Sequence, residues 1–404
     1  MTGSTESPAS RAIPDATVSS GVERASAAPP LRVATVDTRR QRAQFIGFPY
    51  ELYRHDPAWV PPLLAEQRHQ FSPKSPFHQH AAVQMWLAYR GDRPVGRISA
   101  QVDRLRLERY ADATGHFGVL EAVDDPAVFA ALLGAAEDWL RAQGMRHVVG
   151  PFNLSINGDI GIVLDGFDLP PVFLSGHGRP YYDPRVREQG YRKTKDVVFY
   201  RLDPAVPPPR AMVESARRAR ESARITIRPI DKSRLAEEAA AISSIFNDAW
   251  ADHWGFVPFT EAEFAELASM LKYLVPREFV QFGYVDGELA AMLVIVPNLN
   301  ELISDLRGRL LPFGWLRLVT RLLRRSPRSA RVALMGVRQK FQHSLLTMAL
   351  AFGLIEAVRE PVLQRHMRYL EMGWTLEDNF PMLRIKQLLG GHLCKTNRVY
   401  EKAL

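Results

Sequence analysis

A lone cysteine, Cys394, in a chain of 404 residues leaves no partner for an intrachain disulfide, so the fold must hold by packing alone, as in a reducing cytoplasm. No apolar run reaches the roughly 18 residues that a membrane-spanning helix needs, and the N-terminus lacks the basic-then-apolar pattern of a secretory signal. The expected location is cytoplasmic. Residues 1 to about 30 have no aromatic residue, are rich in Ser, Ala, Thr and Pro, and end in Pro29-Pro30. Such a segment buries too little surface to repay ordering and is expected to be a disordered tail. Also missing are a Gly-x-x-x-x-Gly-Lys loop, a His-Glu-x-x-His pair and a Gly-x-Ser-x-Gly elbow, which removes the usual support for ATPase, zinc protease and α/β-hydrolase chemistry. His69, His78 and His80 have no compact set of partner ligands and read as a surface loop, so no metal is expected.

What is present is ordinary globular material, with 46% hydrophobic and 24% charged residues. The length suggests two domains. Lys and Arg number 52 against 44 Asp and Glu, a net charge of +8 that favours anionic partners such as nucleotide phosphates or anionic lipid. Nothing further points to nucleic acid, and none is expected.

Landmarks of the first half recur in order in the second. Trp59-Val60-Pro61-Pro62 returns as Phe256-Val257-Pro258-Phe259, with 258 − 61 = 197. The strand, Gly-Asp turn and strand from Leu87 to Gly96 return with Asp286-Gly287 from Phe282 to Ala290, with 284 − 89 = 195. Lys193-Thr194 answers Lys395-Thr396, with 395 − 193 = 202. Between these landmarks each half carries a strand, a long helix (Phe129 to Leu140; Leu345 to Val358) and another strand, which implies a parallel pair with a helical crossover. Each unit therefore reads as helix, hairpin, strand, helix, strand, helix, strand. The expected layout is a tail over 1–30, a first domain over 31–203, a linker with a basic helix over 204–224, and a second domain over 225–404 with an insertion at about 299–330.

That order of elements resembles the GNAT superfamily of acyl-CoA-dependent N-acyltransferases. The resemblance rests on Val332 to Thr347, on Tyr369 to Asn379, and on Gly390-Gly391 with Lys395 to Tyr400. With Gly150 to Asn157 and Asp165-Gly166-Phe167-Asp168, the whole chain is most similar to the tandem-domain bacterial ceramide synthases. The implied fold is α/β (α+β), two tandem GNAT-like domains, each a mixed central sheet flanked by helices. The implied activity is transfer of a long acyl group from acyl-CoA, as co-substrate, to the amine of a sphingoid base, 3-ketosphinganine or sphinganine; the alternatives are acylation of another small amine or amino acid, or a catalytically silent GNAT-like protein that binds acyl-CoA or lipid. No permanently bound cofactor is implied.

Such chemistry needs a phosphate cradle, an acyl groove, a base for the ammonium and a donor to the thioester oxygen. Strand Arg331 to Val337 feeds a basic loop, Arg338 to Ser344, that opens onto a helix. Val337, Arg338, Lys340, Gln342 and Ser344 are the candidates for holding the phosphates, Ser344 as a cap. In the superfamily pattern Gln342 fits, whereas Leu345 stands where the first glycine is expected. A basic solvated loop before a core helix is the alternative. Asn379 matches a cofactor-facing Asn and equally suits a helix N-cap. Glu371, on the alternating strand Tyr369 to Leu376, is a candidate base or else half of an ion pair with an Arg. Tyr400 is a candidate donor to the departing thiolate or else a core tyrosine, and His177, on a glycine-flanked loop, is a further candidate base.

The first half has Glu121 to Pro126 at its strand-to-helix junction, where the acidic residues repel a pyrophosphate. Its polar groups, Asn153, Asn157 and Asp159, then Tyr181 and Tyr182, are candidates for the amine substrate or else ordinary turn chemistry. The insertion places Arg317, Arg321, Arg324 and Arg328 on one helical side and Trp315, Leu316, Val319, Leu322 and Leu323 on another. An amphipathic helix over about 310–328 suits anionic membrane or packs on its own domain.

Overall fold

Each half begins its share of the sheet with a short strand that the helix-first pattern above lacks. The first half runs β1 (Leu31–Thr35), α1 (Arg39–Leu52), α2 (Leu64–Gln70), β2 (Ala81–Arg90), β3 (Arg93–Asp103), α3 (Arg104–Tyr110) and β4 (Thr114–Ala122). It closes with α4 (Pro126–Ala142), β5 (His147–Gly150), β6 (Ile162–Val163), α5 (Tyr182–Glu188) and β7 (Arg192–Leu202). The second half runs α6 (Arg210–Glu221), β8 (Ile225–Pro229), α7 (Leu235–Ala249), α8 (Glu261–Leu271), β9 (Val280–Val285), β10 (Glu288–Pro297), α9 (Asn300–Ile303) and α10 (Gly314–Arg324). It closes with β11 (Ser329–Val337), α11 (Gln339–Gln342), α12 (Leu345–Gln364), β12 (Tyr369–Leu376), α13 (Phe380–Leu388) and β13 (His392–Ala403). This computed structural model describes residues 1–3, 29–324, 326–342 and 345–404, so most of the expected tail, and Ser344, lie outside the described residues.

Local chemistry sets the elements. At the β9–β10 turn Asp286 and Gly287 both take positive φ, 49° and 81°, as a two-residue type I′ hairpin requires. Asp125 caps α4 by accepting from Ala127 N, Pro126 fills the first turn, and Val128, Phe129, Leu132, Leu133, Ala136 and Leu140 form one buried stripe. Burying each of these larger apolar side chains stabilises by about 1.5–3 kcal/mol.

The strands form one continuous sheet in the order β1-β2-β3-β4-β5-β13-β7-β12-β11-β10-β9-β8, with β6 added against β13. The order is a palindrome of the two halves, and its centre lies between β7 and β13. Each half gives its last strand to the other: β13 pairs antiparallel with β5, and β7 antiparallel with β12. The cores follow the exchange, with Tyr400 packed in the first-half core and Leu202 in the second. Helix α6 belongs to the second half by packing, since Met212, Ala216 and Ala219 are buried and α6 lies on α12.

Both halves hold a parallel pair that parts. The β4–β5 pairing stops at His116↔Val149, and the β11–β12 pairing at Val332↔Met372. A register skip opposite Ile295 bulges Ala333 out of β11 and bends it away from β12. The corresponding skip in β4 falls at Val119, whose φ is 50°.

Candidate functional site

A cavity of about 1100 Å³ is built around the second gap. All seven residues from Arg331 to Val337 line it, as do Leu370 and Met372 to Leu376. Because successive strand side chains point to opposite faces, such unbroken runs mean that the cavity reaches both faces of the sheet through the gap. On one face Met348, Ala351, Ile355, Val358 and Val362 present the i, i+3, i+4 stripe of α12, opposed by Met382, Ile385 and Leu389 at α13. On the other, Phe246, Trp250 and Phe264 of α7 and α8 face Ile46, Tyr50 and Trp59 of the first half.

The first-half gap is filled by its own chain. Phe152 N donates to Phe117 O at 2.8 Å, Asn153 Oδ1 accepts from Val119 N at 2.8 Å, and Gln101 Nε2 donates to the carbonyls of Phe152 and Leu154 at 2.8 and 3.0 Å. The loop from Pro151 to Gly161 thus occupies the space that stays open in the second half. At the start of α4 the carboxylates are already engaged, Asp125 with Arg90 and Asp124 with Arg185.

Where that loop meets the second-half gap, polar groups converge. Asp159 is partly buried, accepts from Asn153 Nδ2 at 2.8 Å and from Gly176 N at 2.9 Å, and lines the cavity. Burial raises its pKa, against the pull of Lys395 and Arg331. The Arg331 guanidinium donates to Gly373 O at 3.0 Å and to Leu174 O, bridging the halves. His177 Nε2 lies 3.0 Å from Asp56 and also lines the cavity, and burial lowers its pKa despite that carboxylate. Asn153 and Asn157 line the cavity, the latter donating to Val257 O at 3.0 Å.

Tyr182 reaches the cavity with its hydroxyl on Glu121, a carboxylate that Tyr53 also holds at 2.6 Å and whose pKa burial raises. Tyr181 does not line the cavity; its hydroxyl donates to Ala122 O at 2.8 Å. Among the phosphate candidates, Val337 and Gln342 line the cavity and bond each other at 2.8 Å, but the cations are spent elsewhere. Arg338 donates to Ser244 at 2.7 Å and Lys340 pairs with Glu288 at 2.6 Å on the surface. Asn379 both caps α13, accepting from Met382 N at 3.2 Å, and lines the cavity.

Two candidates sit off the cavity. Glu371 is 1% exposed, pairs with Arg201 at 3.1 Å, lies between Arg201 on β7 and Arg331 on β11 in the sheet, and is not a lining residue. Tyr400 donates to Asp183 inside the first-half core. Of the three histidines expected at the surface, His69 is exposed and His80 is a correction: it is buried between Asp103 at 2.9 Å and Glu263 at 3.5 Å, which joins the halves. Among the described residues no group of three or more His, Cys, Asp or Glu could hold a metal ion. No described helix is long and apolar enough to cross a membrane.

Sequence reasoning missed Lys386. It lies in a short helix whose surface pattern suits a solvated lysine, yet it is 2% exposed, lines the cavity, and donates to Met372 O at 2.9 Å and Thr375 Oγ1 at 2.5 Å.

No family model matches the chain. It is 46% identical over 376 residues to the bacterial ceramide synthase of Caulobacter vibrioides (strain NA1000 / CB15N), covering 93% of this chain and 98% of that protein. It is 43% identical over 376 residues to Protein YghO of Escherichia coli (strain K12), covering 92% and 95%. Among solved structures, a tandem GNAT protein from the clavulanic acid biosynthesis pathway aligns with a TM-score of 0.55 at 14% identity, over 93% of this chain and 98% of that one. A glucosamine N-acetyltransferase region of a fungal multi-domain β-N-acetylglucosaminidase aligns with a TM-score of 0.55 at 14% identity, over 95% and 39%. With the fold of two tandem GNAT units and a relative this similar along nearly its whole length, the chain belongs to the family of the bacterial ceramide synthases and is an acyltransferase.

Proposed function

We propose that this protein transfers a long-chain acyl group from acyl-CoA to the amine of a sphingoid base, 3-ketosphinganine or sphinganine, and releases a ceramide-type amide. The observation that carries the assignment is the unequal fate of the two gaps: the first is filled by Pro151 to Gly161, while the second opens on both faces of the sheet. Acyl-CoA then belongs to the second half, with its thioester between β11 and β12 and Val337, Gln342 and Asn379 toward the carrier. The α12 stripe from Met348 to Val362 suits a long acyl chain, since such a wall offers hydrocarbon and few polar partners. The acceptor enters from the first-half side, where Asn153, Asn157, Asp159, His177 and Tyr182 offer hydrogen bonds to a head group. Helix α10 is a peripheral contact for anionic membrane, beside the α9 residues Asn300 and Ile303 that line the cavity.

The test is incubation of the protein with palmitoyl-CoA and each sphingoid base, with mass-spectrometric detection of the N-acyl product. Amide formation with release of CoA is the expected result. Absence of product with every long-chain amine tried, against turnover of a short amine or amino acid, would replace the acceptor class.

A further inference from the structure

In an acyl transfer of this kind the acceptor arrives as an ammonium and must lose a proton before its lone pair can attack. A group that takes the proton has to stand at the thioester, be shielded from water, and be held without a neutralising counter-ion if it is an amine. Lys386 meets these conditions in the fold. The last paired residues of β11 and β12 are Val332 and Met372, and Lys386 Nζ is 2.9 Å from Met372 O, at the vertex of the gap. Its other bond is to the Thr375 hydroxyl at 2.5 Å. Both partners are neutral, and among the described residues no carboxylate lies within ion-pair distance of Nζ, unlike Lys193, Lys195, Lys340 and Lys402.

We propose that Lys386 is the proton acceptor of the reaction, resting as the neutral amine at the vertex where the thioester and the acceptor nitrogen meet. This rests on the N-acyltransferase function above. One N–H bond of the substrate ammonium breaks and an Nζ–H bond forms, leaving Lys386 as its ammonium. The freed lone pair forms the C–N bond to the thioester carbonyl. The C–S bond breaks, its electron pair leaves on the CoA sulfur, and the second nitrogen proton passes to that sulfur, so amide, thiol and protonated Lys386 account for every atom.

The surroundings favour the neutral amine. Burial is the largest influence and the Arg331 guanidinium from β11 adds to it; Cys394 on β13 and Glu371 on β12 pull the other way, and the balance brings the Lys386 pKa down to about 7. From β7, Tyr200 places its ring 5.4 Å from Nζ.

The experiment compares wild type with Lys386→Met and Lys386→Arg, using palmitoyl-CoA and saturating sphingoid base, and measures kcat from pH 5.5 to 9 together with palmitoyl-CoA affinity. Wild-type kcat is expected to fall about tenfold per pH unit below about 7. Both variants are expected to lose about a hundredfold or more in kcat at pH 7.5 and to keep palmitoyl-CoA affinity, because Arg preserves the hydrogen bonds but cannot become neutral. Lys386→Arg with wild-type kcat and an unmoved pH limb would overturn the assignment, since it would make Lys386 a structural donor only. If wild type itself forms no N-acyl product, the acyltransfer function fails and Lys386 falls with it. Product from wild type and from both variants alike removes Lys386 alone.

Discussion

Asp196 on β7 and Arg398 on β13 face each other at the middle of the sheet, with Arg398 Nε and Nη2 on the two carboxylate oxygens at 2.8 and 2.9 Å. They are directly paired in register, and 398 − 196 = 202, the spacing that relates Lys193-Thr194 to Lys395-Thr396. The flanking pairs obey the same rule: Lys195↔Val399 becomes Asn397↔Val197 when each residue is exchanged for its repeat. The pair therefore sits on the local two-fold axis of the duplication and stitches the two exchanged strands together.

Cutting this pair should be costly. Removing Arg398 as Arg398→Met leaves the Asp196 carboxylate, 10% exposed, with Lys193 alone. Charge-assisted hydrogen bonds contribute about 1.5–3 kcal/mol each, so a loss of about 2 kcal/mol is expected in urea unfolding. A double-mutant cycle with Asp196→Asn should return a coupling of about 1 kcal/mol or more. Strictly additive losses would show that the axis pair does not couple the strands.

The duplication and the hairpins are legible because their signals are local: a turn dipeptide between strands, a helix stripe, a recurring Lys-Thr. Strand exchange is not, since a period-2 pattern states which face a residue takes and not which strand lies beside it. The reading of Glu371 shows the consequence. Its burial follows from the pattern, but the cation that holds it, Arg201, arrives on a strand of the other half. Lys386 fails in the opposite direction, because a lysine in a short helix reads as solvated until Met372 and Thr375 are placed beneath it. The acidic junction disfavours a pyrophosphate but does not state that the first gap is filled; Asn153, a head-group candidate in the sequence, also closes the gap on Val119.

His80 makes stability depend on pH through the contact between halves. Burial alone would depress its pKa, but the Asp103 and Glu263 carboxylates outweigh it and raise the value from 6.5 to about 9. A raised pKa means that the folded state holds the proton more tightly. The stabilisation is full below about 6.5 and lost as pH rises through about 9, and at roughly 1.4 kcal/mol per unit it amounts to about 3 kcal/mol at most. Urea unfolding of wild type and His80→Gln at pH 6 and at pH 9.5 should show the difference between them shrinking at the higher pH. A difference that is constant with pH would mean that His80 is not protonated in the fold.

Gly118 guards the filled gap. A Cβ there would stand 1.7 Å from Phe152 O, a backbone atom that the Gln101 amide also holds. Gly118→Ala must therefore push Phe152 and the loop behind it, including Asn153 and Asp159, out of place. Overpacking of this kind costs about 1–3 kcal/mol. On the proposed division of labour, turnover with the sphingoid base should drop about tenfold or more while palmitoyl-CoA affinity stays within about threefold. A variant that binds acyl-CoA poorly but keeps its acceptor KM would reverse the roles of the halves.

Helix α10 carries its apolar side in solvent, with Leu323 81% exposed and no buried residue along its length, and Phe313 just before it is 70% exposed. Arg321 is tied down by Asp305 and Leu302 O, which fixes the helix to the body, while Arg317 and Arg324 stay exposed to meet anionic head groups. Each basic residue near such a surface is worth about 1 kcal/mol, and each large apolar side chain taken out of water adds about 1.5–3 kcal/mol. Arg317→Gln with Arg324→Gln should weaken binding to vesicles containing phosphatidylglycerol about tenfold or more, and Phe313→Ser with Leu323→Ser should do at least as much. Arg321→Gln, by contrast, acts through helix placement and should lower thermal stability as well. Turnover of a water-soluble short-chain acceptor should be unchanged in the two double variants, because none of the four residues lines the cavity. Unaltered vesicle binding in both would leave α10 without a lipid partner.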